Sequence, residues 1–369
     1  GKKVFHLNIG QPDIETPKAF WDAIASYPAQ VLEYGKSQGT DQYIAGLKDY
    51  YNSVGIDVNE SDILVTTGGS EAIVFSLMAI TDPGDKIIVF EPFYTNYNGY
   101  AAMCNISLTP VTTLAENGYH LPSREDIISK IDDKTRGILI CTPNNPTGTV
   151  LTREEMELLA DIVKEYDLYL ISDEVYREFT YEGEHTSVMH LKGIEDRAIV
   201  MDSISKRFSA CGARIGALVT KNRDLWNNFL KLAQTRLCPP SIEQHAAKAV
   251  LENLEESYFT ETIDEYKKRR DITIREIEKI DGAFCKTPAG AFYVMVTLPI
   301  DDVENFAKWM LTDFDYNGKT TMVAPGPGFY ATKGLGNNEA RLAYVLNEKD
   351  LTEALEVLKK GVEAYNSRI

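Results

Sequence analysis

Short apolar runs alternate with helical patterns between about residues 62 and 220. Continuous apolar runs bounded by turn residues predict buried strands at Ile63–Thr66, Lys86–Phe90, Gly137–Cys141, Leu168–Ser172, Ala198–Met201 and Ile215–Thr220. Apolar residues at helical spacing predict helices over Glu71–Ile80 and Arg153–Tyr166. Strands that alternate with helices are typical of βαβ units. We therefore expect an α/β fold whose mostly parallel sheet is covered by helices on both faces.

The pattern changes after about residue 245. One long charged helix is predicted over Ile242–Ile280, and its basic run Lys267–Asp271 is interpreted as a solvated helix face and not as a binding patch. A smaller α+β unit follows, with a strand at Ala291–Thr297 and a final helix. The final helix has apolar residues on one stripe, which we expect in the core: Leu351, Leu355, Leu358 and Val362.

Composition narrows the classes of protein to which the chain can belong. Its 369 residues are 44% hydrophobic, and the net charge of −17 argues against nucleic acid or an anionic membrane as a partner. Five scattered cysteines without a C-x-x-C pair fit reduced thiols better than disulfides or a zinc site, so no metal is expected. Without a signal-peptide pattern or a long apolar run, we expect a cytoplasmic protein.

Residues with unusual chemistry follow the predicted strands directly. They are Gly68 to Ser70, Tyr94, Asn145, Asp173 and Lys206. Open parallel sheets bind ligands at the carboxyl ends of their strands, so these residues are expected to meet in one site.

The run from Ser203 to Gly216 is the most specific of these segments. Lys206 stands among hydroxyl residues, and Arg214 follows eight positions later between glycines. A lysine amine can condense with an aldehyde cofactor. Hydroxyl groups and a guanidinium suit a phosphate dianion. The run therefore indicates a phosphate-bearing aldehyde cofactor.

Read together, the motifs resemble the class I/II (fold-type I) aminotransferases, which use pyridoxal 5′-phosphate (PLP), and prokaryotic aspartate aminotransferases among them. The resemblance is carried, in the order of the family, by Leu7–Asp13, Tyr34 and Gly39, Thr66–Ala72, Glu91–Tyr94, Pro143–Gly148, Ser172–Tyr176, Ser203–Gly216, Ala324–Gly326 and Arg341. It implies a large PLP-binding domain over residues 35–250 with a seven-stranded sheet. Residues 1–34 and 251–369 would form a smaller α+β domain.

The resemblance also implies roles for the residues that would hold the cofactor. Lys206 would form the Schiff base and then act as general base and acid, and Asp173 would pair with the pyridine nitrogen. Tyr176 and Asn145 would hydrogen-bond the ring oxygen, and Tyr94 would stack on the ring. The phosphate would be bound by Gly68, Gly69, Ser70, Ser203, Ser205 and Arg214.

Substrate binding and assembly follow from the same resemblance. Arg341, with Gly10 and Asn145, would bind the α-carboxylate of an amino acid or a 2-oxo acid. Tyr34 would reach the phosphate of the neighbouring subunit, which implies a homodimer with shared active sites.

Departures from the family pattern leave the amino donor open. Ser70 stands where some prokaryotic aspartate aminotransferases carry a lysine that contacts the distal carboxylate, so aspartate, aromatic, alanine-type and broad specificity all remain. Pro327 and Tyr330 also depart from the family loop and are expected to reshape the side-chain pocket.

Amino transfer to 2-oxoglutarate, by a ping-pong route through pyridoxamine phosphate, is the leading function. The alternatives are a β-eliminating lyase of the same fold and, more remotely, a non-enzymatic PLP-sensing regulator.

Overall fold

The structure is a computed structural model that describes residues 1–368. Its strands are β1 (Lys3–His6), β2 (Ile63–Thr66), β3 (Lys86–Glu91), β4 (Ser107–Thr112), β5 (Thr135–Cys141), β6 (Tyr169–Asp173), β7 (Ala198–Ser203), β8 (Gly216–Val219), β9 (Tyr293–Thr297), β10 (Lys319–Met322), β11 (Ala324–Pro325) and β12 (Glu339–Ala343). Its helices are α1 (Lys18–Ala25), α2 (Asp41–Ser53), α3 (Gly68–Ile80), α4 (Asn96–Met103), α5 (Arg124–Ile128), α6 (Arg153–Glu165), α7 (Ile204–Arg207), α8 (Arg223–Arg236), α9 (Ser241–Asn253), α10 (Tyr258–Ile277), α11 (Val303–Thr312) and α12 (Glu348–Asn366).

Seven strands form the main sheet in the order β2-β8-β7-β6-β5-β3-β4. All neighbouring pairs from β7 to β4 are parallel, whereas β8 runs antiparallel to both β7 and β2. The mostly parallel α/β sheet is therefore confirmed, and the six predicted strands coincide with observed ones. The pattern missed β4, an edge strand with Pro110 in its middle, because partly exposed edge strands lack the continuous apolar run of buried ones.

Helices cover both faces of this sheet, and side chains along each strand alternate between them. In β2, for example, Ile63 and Val65 join the core beneath α2, α6 and α9, whereas Leu64 joins the core beneath α3, α4 and α8. Burial on both faces explains why the central strands read as unbroken apolar runs.

A smaller unit contains the three-stranded sheet β11-β12-β9 and the parallel pair β1-β10. The predicted apolar stripe of α12, including Leu351 and Leu358, is buried in its core, as expected. The segment before residue 35 contacts both units, since β1 pairs with β10 while Phe20 of α1 packs into the core of the main sheet. The predicted division at residues 35 and 250 stays a prediction.

The single helix predicted over Ile242–Ile280 is wrong. The structure has two helices there, α9 and α10, separated at residues 254–257, and Leu254 is extended. Glu252, Glu255 and Glu256 crowd the end of α9, where the helix dipole disfavours negative charge. The helical spacing of apolar residues continues across the break and conceals it.

The interpretation of the basic run in α10 is also partly wrong. Lys267 and Lys268 are exposed, but Arg269 and Arg270 are buried. Arg269 pairs with Asp13 and Glu265, and Arg270 pairs with Glu182 and Asp271. Half of the run therefore ties α10 to distant segments. Within residues 1–368, no helix combines the length and the apolar character that crossing a bilayer requires.

Candidate active site

A cavity of about 350 Å³ opens beside the carboxyl ends of β5, β6 and β7, the edge of the sheet where ligands are expected. All predicted site residues except Gly68 and Tyr34 line it. They are Gly10, Gly69, Ser70, Tyr94, Asn145, Asp173, Tyr176, Ser203, Ser205, Lys206, Arg214 and Arg341. Residues separated by up to 331 positions in sequence thus line one cavity.

Lys206 projects from α7, the single helical turn that directly follows β7. The hydroxyl of Ser203 caps this turn by accepting a hydrogen bond from the backbone N–H of Ser205. The Nζ of Lys206 donates to the carbonyl of Gly10 at 2.8 Å and lies 3.8 Å from the Sγ of Cys211. No carboxylate of the described chain forms an ion pair with Lys206, whose side chain lines the cavity.

Asp173 ends β6 and is buried at the floor of the cavity. One carboxylate oxygen accepts a hydrogen bond from the hydroxyl of Tyr97 at 2.8 Å. Burial raises the pKa of Asp173 to about 6, and the negative charges of Asp202 and Glu174 act in the same direction. Among residues 1–368 no cation pairs with Asp173. A buried carboxylate without a cation favours a positively charged ligand group beside it.

An anion-binding pocket forms where α3 begins. Gly68 has a φ of +73°, which favours glycine, and a Cβ placed there would lie 2.4 Å from Nη2 of Arg214, so the guanidinium packs directly against this backbone. The hydroxyls of Ser203 and Ser205 are 2.8 Å apart and line the same cavity as Gly69. The start of a helix, two hydroxyls and a guanidinium together suit a phosphate.

Arg341, on β12, forms the opposite wall and is buried. Its Nη1 donates to Oδ1 of Asn145 at 2.9 Å, and its Nη2 donates to the carbonyl of Asn8 at 2.5 Å. The guanidinium lies over the rings of Tyr293 and Phe329, with its carbon 4.6 and 5.0 Å from their centroids. Its Nε has no partner. In the part of the chain that the structure describes, only neutral groups contact this cation, which leaves it available to a carboxylate.

Tyr293 is a cavity residue that sequence reasoning missed. Its hydroxyl lies 3.0 Å from the hydroxyl of Tyr176, and a Cβ on Gly10 would lie 1.8 Å from the same oxygen. Gly10 is therefore required for the close approach of the first segment to β9. Nothing in the sequence distinguishes Tyr293 from a core aromatic residue, because it sits in an apolar strand.

Further lining residues were also missed: Asn8, Ile9, Ile73, Cys141, Val175 and Cys211. Most of them are small or apolar residues beside predicted site residues. Their chemistry carries no signal of its own in a sequence.

Two groups of predicted residues lie outside the cavity. Tyr34 is on the surface with 83% of its side chain exposed, so a contact with a phosphate would require a second subunit. Pro327 and Tyr330 do not line the cavity, and their effect on the side-chain pocket stays a prediction. The hydroxyl of Tyr330 instead donates to Glu339 at 2.5 Å.

Comparison with known proteins places this geometry in a family. The family model described as aminotransferase class I and II matches residues 2–358. This chain belongs to the class I and II aminotransferases. The protein is therefore an enzyme, and its family depends on PLP.

Relatives of this aminotransferase are named for several activities. An aspartate aminotransferase of Thermotoga maritima is 30% identical over 100% of this chain and 93% of its own length. The structure of an alanine aminotransferase from Pyrococcus furiosus matches with a TM-score of 0.89 and 30% identity, covering 98% of this chain and 93% of that one. An aromatic aminotransferase from Pyrococcus horikoshii matches with a TM-score of 0.90 and 27% identity, covering 98% and 96%. These relatives share the family and are named for different amino donors.

Proposed function

We propose that this aminotransferase holds PLP in the cavity and moves an amino group from an α-amino acid to a 2-oxo acid such as 2-oxoglutarate, in two alternating half-reactions. The observation that carries the proposal is Asp173, a buried carboxylate that faces the cavity and has no cation beside it among the described residues. A protonated pyridine nitrogen supplies that cation. When bound, PLP acts as an electron sink for the substrate carbon that loses its proton.

The remaining residues fit the other parts of the cofactor. Arg214, Ser203, Ser205 and the N–H groups that begin α3 at Gly68, Gly69 and Ser70 would bind the phosphate. Tyr176 and Asn145 would donate to the ring oxygen, and Tyr94 would cover one face of the ring. Lys206 would bond to the aldehyde and afterwards hold and move a proton at its Nζ.

Arg341 would orient the substrate by pairing with its α-carboxylate. Its guanidinium is buried, and Asn145 and the carbonyl of Asn8 already fix its position. A planar fork held in this way can bind a carboxylate through two hydrogen bonds. Orienting the substrate places the bond to be broken correctly relative to the ring.

The chain's own cations bear on the choice of donor. Lys206, Arg214 and Arg341 line the cavity, and each has a proposed role. Position 70 is a serine and not a lysine, and its hydroxyl accepts a hydrogen bond from the hydroxyl of Tyr100 at 2.9 Å. Within the described chain no fourth cation lines the cavity for a distal carboxylate. We therefore propose broad specificity without a large preference for aspartate.

The proposal includes a homodimer in the cytoplasm. Tyr34 is exposed on its own subunit and lies near the exposed side chains of Val31 and Leu32, which a partner would cover. All five cysteines are free, as in a reducing compartment. Sedimentation at assay dilution should show a dimer. Tyr34→Phe should weaken PLP binding without dissociating the dimer. An active monomer would contradict this assembly.

One substrate panel tests the proposed function. Aspartate, alanine and phenylalanine are each supplied with 2-oxoglutarate, and glutamate formation is measured. Each donor alone should convert the cofactor to its amine form once per site, and turnover should require the 2-oxo acid. Serine and cysteine, which carry a leaving group on Cβ, are also supplied alone, and continuous release of pyruvate and ammonia from them without an acceptor would instead identify a β-eliminating lyase. The family match already argues against the non-enzymatic regulator.

A further inference from the structure

Behind the cavity wall lies a cluster of five buried charged residues, here called the back network. Its members are Glu174, Arg177, Glu178, Asp202 and Arg207. No member lines the cavity, and none has a role in the function proposed above. Burying five charges is costly unless each is paired, so their arrangement requires an explanation.

Arg207 is at the centre of one half of the back network, and only 1% of its side chain is exposed. Its Nε donates to Glu178 at 2.9 Å, and its Nη2 donates to Asp202 at 2.5 Å. The guanidinium also lies over the ring of Tyr50 at 4.0 Å. Arg207 thereby joins α7 to the end of β7 and to the segment after β6.

Arg177 is at the centre of the other half of the back network and connects Glu174 with Asp202. Its Nη2 donates to Glu174 at 3.0 Å, and its Nη1 lies 3.5 Å from Asp202. Glu174 also accepts hydrogen bonds from the hydroxyl of Ser187 and the N–H of Val188. Although burial alone would raise the pKa of Asp202, the charges of Arg207 and Arg177 hold it below its ordinary value. The charge pairs therefore connect the two segments without a break.

Most members of the back network are direct sequence neighbours of cavity residues. The adjacent pairs are Asp173–Glu174, Tyr176–Arg177, Asp202–Ser203 and Lys206–Arg207. Asp202 and Ser203 lie in β7, where successive residues point to opposite faces. In the other three pairs as well, one residue lines the cavity and its neighbour does not, so the same two segments carry both the site and the network. Any shift of one segment against the other would have to separate buried ion pairs.

We infer that the back network is a positioning device for the site, and that Arg207 is the positioning residue that fixes Lys206 relative to Asp173. Arg207 acts through the backbone that it shares with Lys206, since it does not reach the cavity. The inference rests on the proposed function, because it assumes that Lys206 carries the cofactor. A buried network that only stabilised the fold would predict no special effect on Lys206.

Two arginine-to-lysine variants separate these roles. Arg207→Lys keeps the charge but loses the fork that reaches both Glu178 and Asp202. Arg270→Lys is the matched control, since Arg270 is also buried and pairs with Glu182 and Asp271 but lies in α10, away from the cavity. Three quantities are measured: the melting temperature of the apoprotein, the pH midpoint of the PLP–lysine absorbance, and the rate of the first half-reaction.

We expect both variants to lower the melting temperature, but only Arg207→Lys to shift the absorbance midpoint and to slow the half-reaction by about 10- to 100-fold. Misplacing a reacting group by about 1 Å costs rates on this order. If Arg207→Lys leaves the midpoint and the rate as in Arg270→Lys, the inference is wrong.

A second variant keeps the test decisive if Arg207→Lys does not fold. Glu178→Gln is nearly isosteric and removes one charge from the network while leaving the contact between Arg207 and Asp202. It should move the same two quantities in the same direction by a smaller factor, and an unchanged midpoint and rate would overturn the inference. A wild-type protein that forms no PLP linkage at Lys206 would instead refute the proposed function.

Discussion

Two aspartates at neighbouring strand ends behave in opposite ways. Asp173 ends β6 and Asp202 lies near the end of β7, and both are buried. Burial raises the pKa of Asp173 to about 6, since only a hydroxyl and a backbone N–H stabilise its charge. Burial acts on Asp202 as well, but two guanidinium groups hold its pKa below the ordinary value. The difference lies in the partners and not in the depth of burial.

The buried arginines repeat this contrast. Arg207 donates to two carboxylates in the back network, whereas Arg341 donates only to an amide oxygen and a carbonyl. A buried charge that is fully paired within the chain serves the scaffold, and one that lacks its counter-charge marks a place for a ligand. Each prediction below tests this distinction, from the largest expected effect to the smallest.

Replacing Lys206 should have the largest effect. Wild-type protein should be yellow, and borohydride should fix PLP on the peptide that contains Lys206. Lys206→Ala should lose the covalent link and transamination together, because no other amine of the described residues lines the cavity. Lys231→Ala, on the outer surface of α8, serves as the control and should retain both. Peptide mapping that found the reduced adduct on another lysine would contradict the assignment.

Replacing Arg341 should weaken every substrate to a similar degree. Loss of one partner of a buried charge pair costs about 2–5 kcal/mol. The transition-state stabilisation calculated from kcat/KM should therefore fall by about this free energy in Arg341→Ala, for all donors and acceptors. PLP binding should survive, because Arg214 and not Arg341 is proposed to hold the phosphate. Arg341→Lys should recover only part of the loss, since it keeps the charge without the fork. Selective loss of one class of donor would show that Arg341 reads side chains instead.

Much of this contrast could not be read from the sequence. Six of the seven strands of the main sheet were predictable because burial on both faces produces continuous apolar runs, and the site followed because its residues follow the ends of those strands. Arg269 and Arg270 were misread because their partners, such as Asp13 and Glu182, are remote in sequence. A polar run on a helix looks the same whether it faces solvent or distant carboxylates.

The back network was missed for the same reason. Arg207 and Glu178 are 29 positions apart, and their pairing depends on the packing of two segments. The family resemblance drew attention to Lys206 and Asp173 and gave no reason to examine the residues beside them. Predicting that Glu174 belongs to the back network would require knowing which side of the end of β6 it faces.

Asn substitutions at the two contrasting aspartates should differ in their cost to stability. Asp173→Asn should keep the fold and bind PLP but slow the first half-reaction on the order of 10²-fold, since a charged hydrogen bond to the ring would be lost. Asp202→Asn should lower the free energy of unfolding by about 3–5 kcal/mol, because it leaves buried guanidinium charge uncompensated, and any effect on the half-reaction should come through the back network. Rapid-mixing kinetics and urea denaturation measure the two effects. Unchanged half-reaction rates in Asp173→Asn would remove Asp173 as the partner of the pyridine nitrogen.

The raised pKa of Asp173 also predicts how cofactor affinity depends on pH. Below about pH 6 the carboxyl group of the free protein holds a proton, which it must release to pair with a protonated ring nitrogen. Affinity should therefore rise as the pH approaches 6 and level off above it, about tenfold in total between pH 5 and 7 if pairing lowers the pKa of Asp173 far below 5.

Pyridoxine 5′-phosphate is a suitable probe for this dependence, because it lacks the aldehyde and cannot bond to Lys206. Its phosphate ionises near pH 6 as well, so the measurement is the difference between wild type and Asp173→Asn, in which only the phosphate contribution remains. Calorimetric titrations that gave the same pH dependence for both proteins would show that Asp173 is already ionised without a cation, and the contrast with Asp202 would lose its basis.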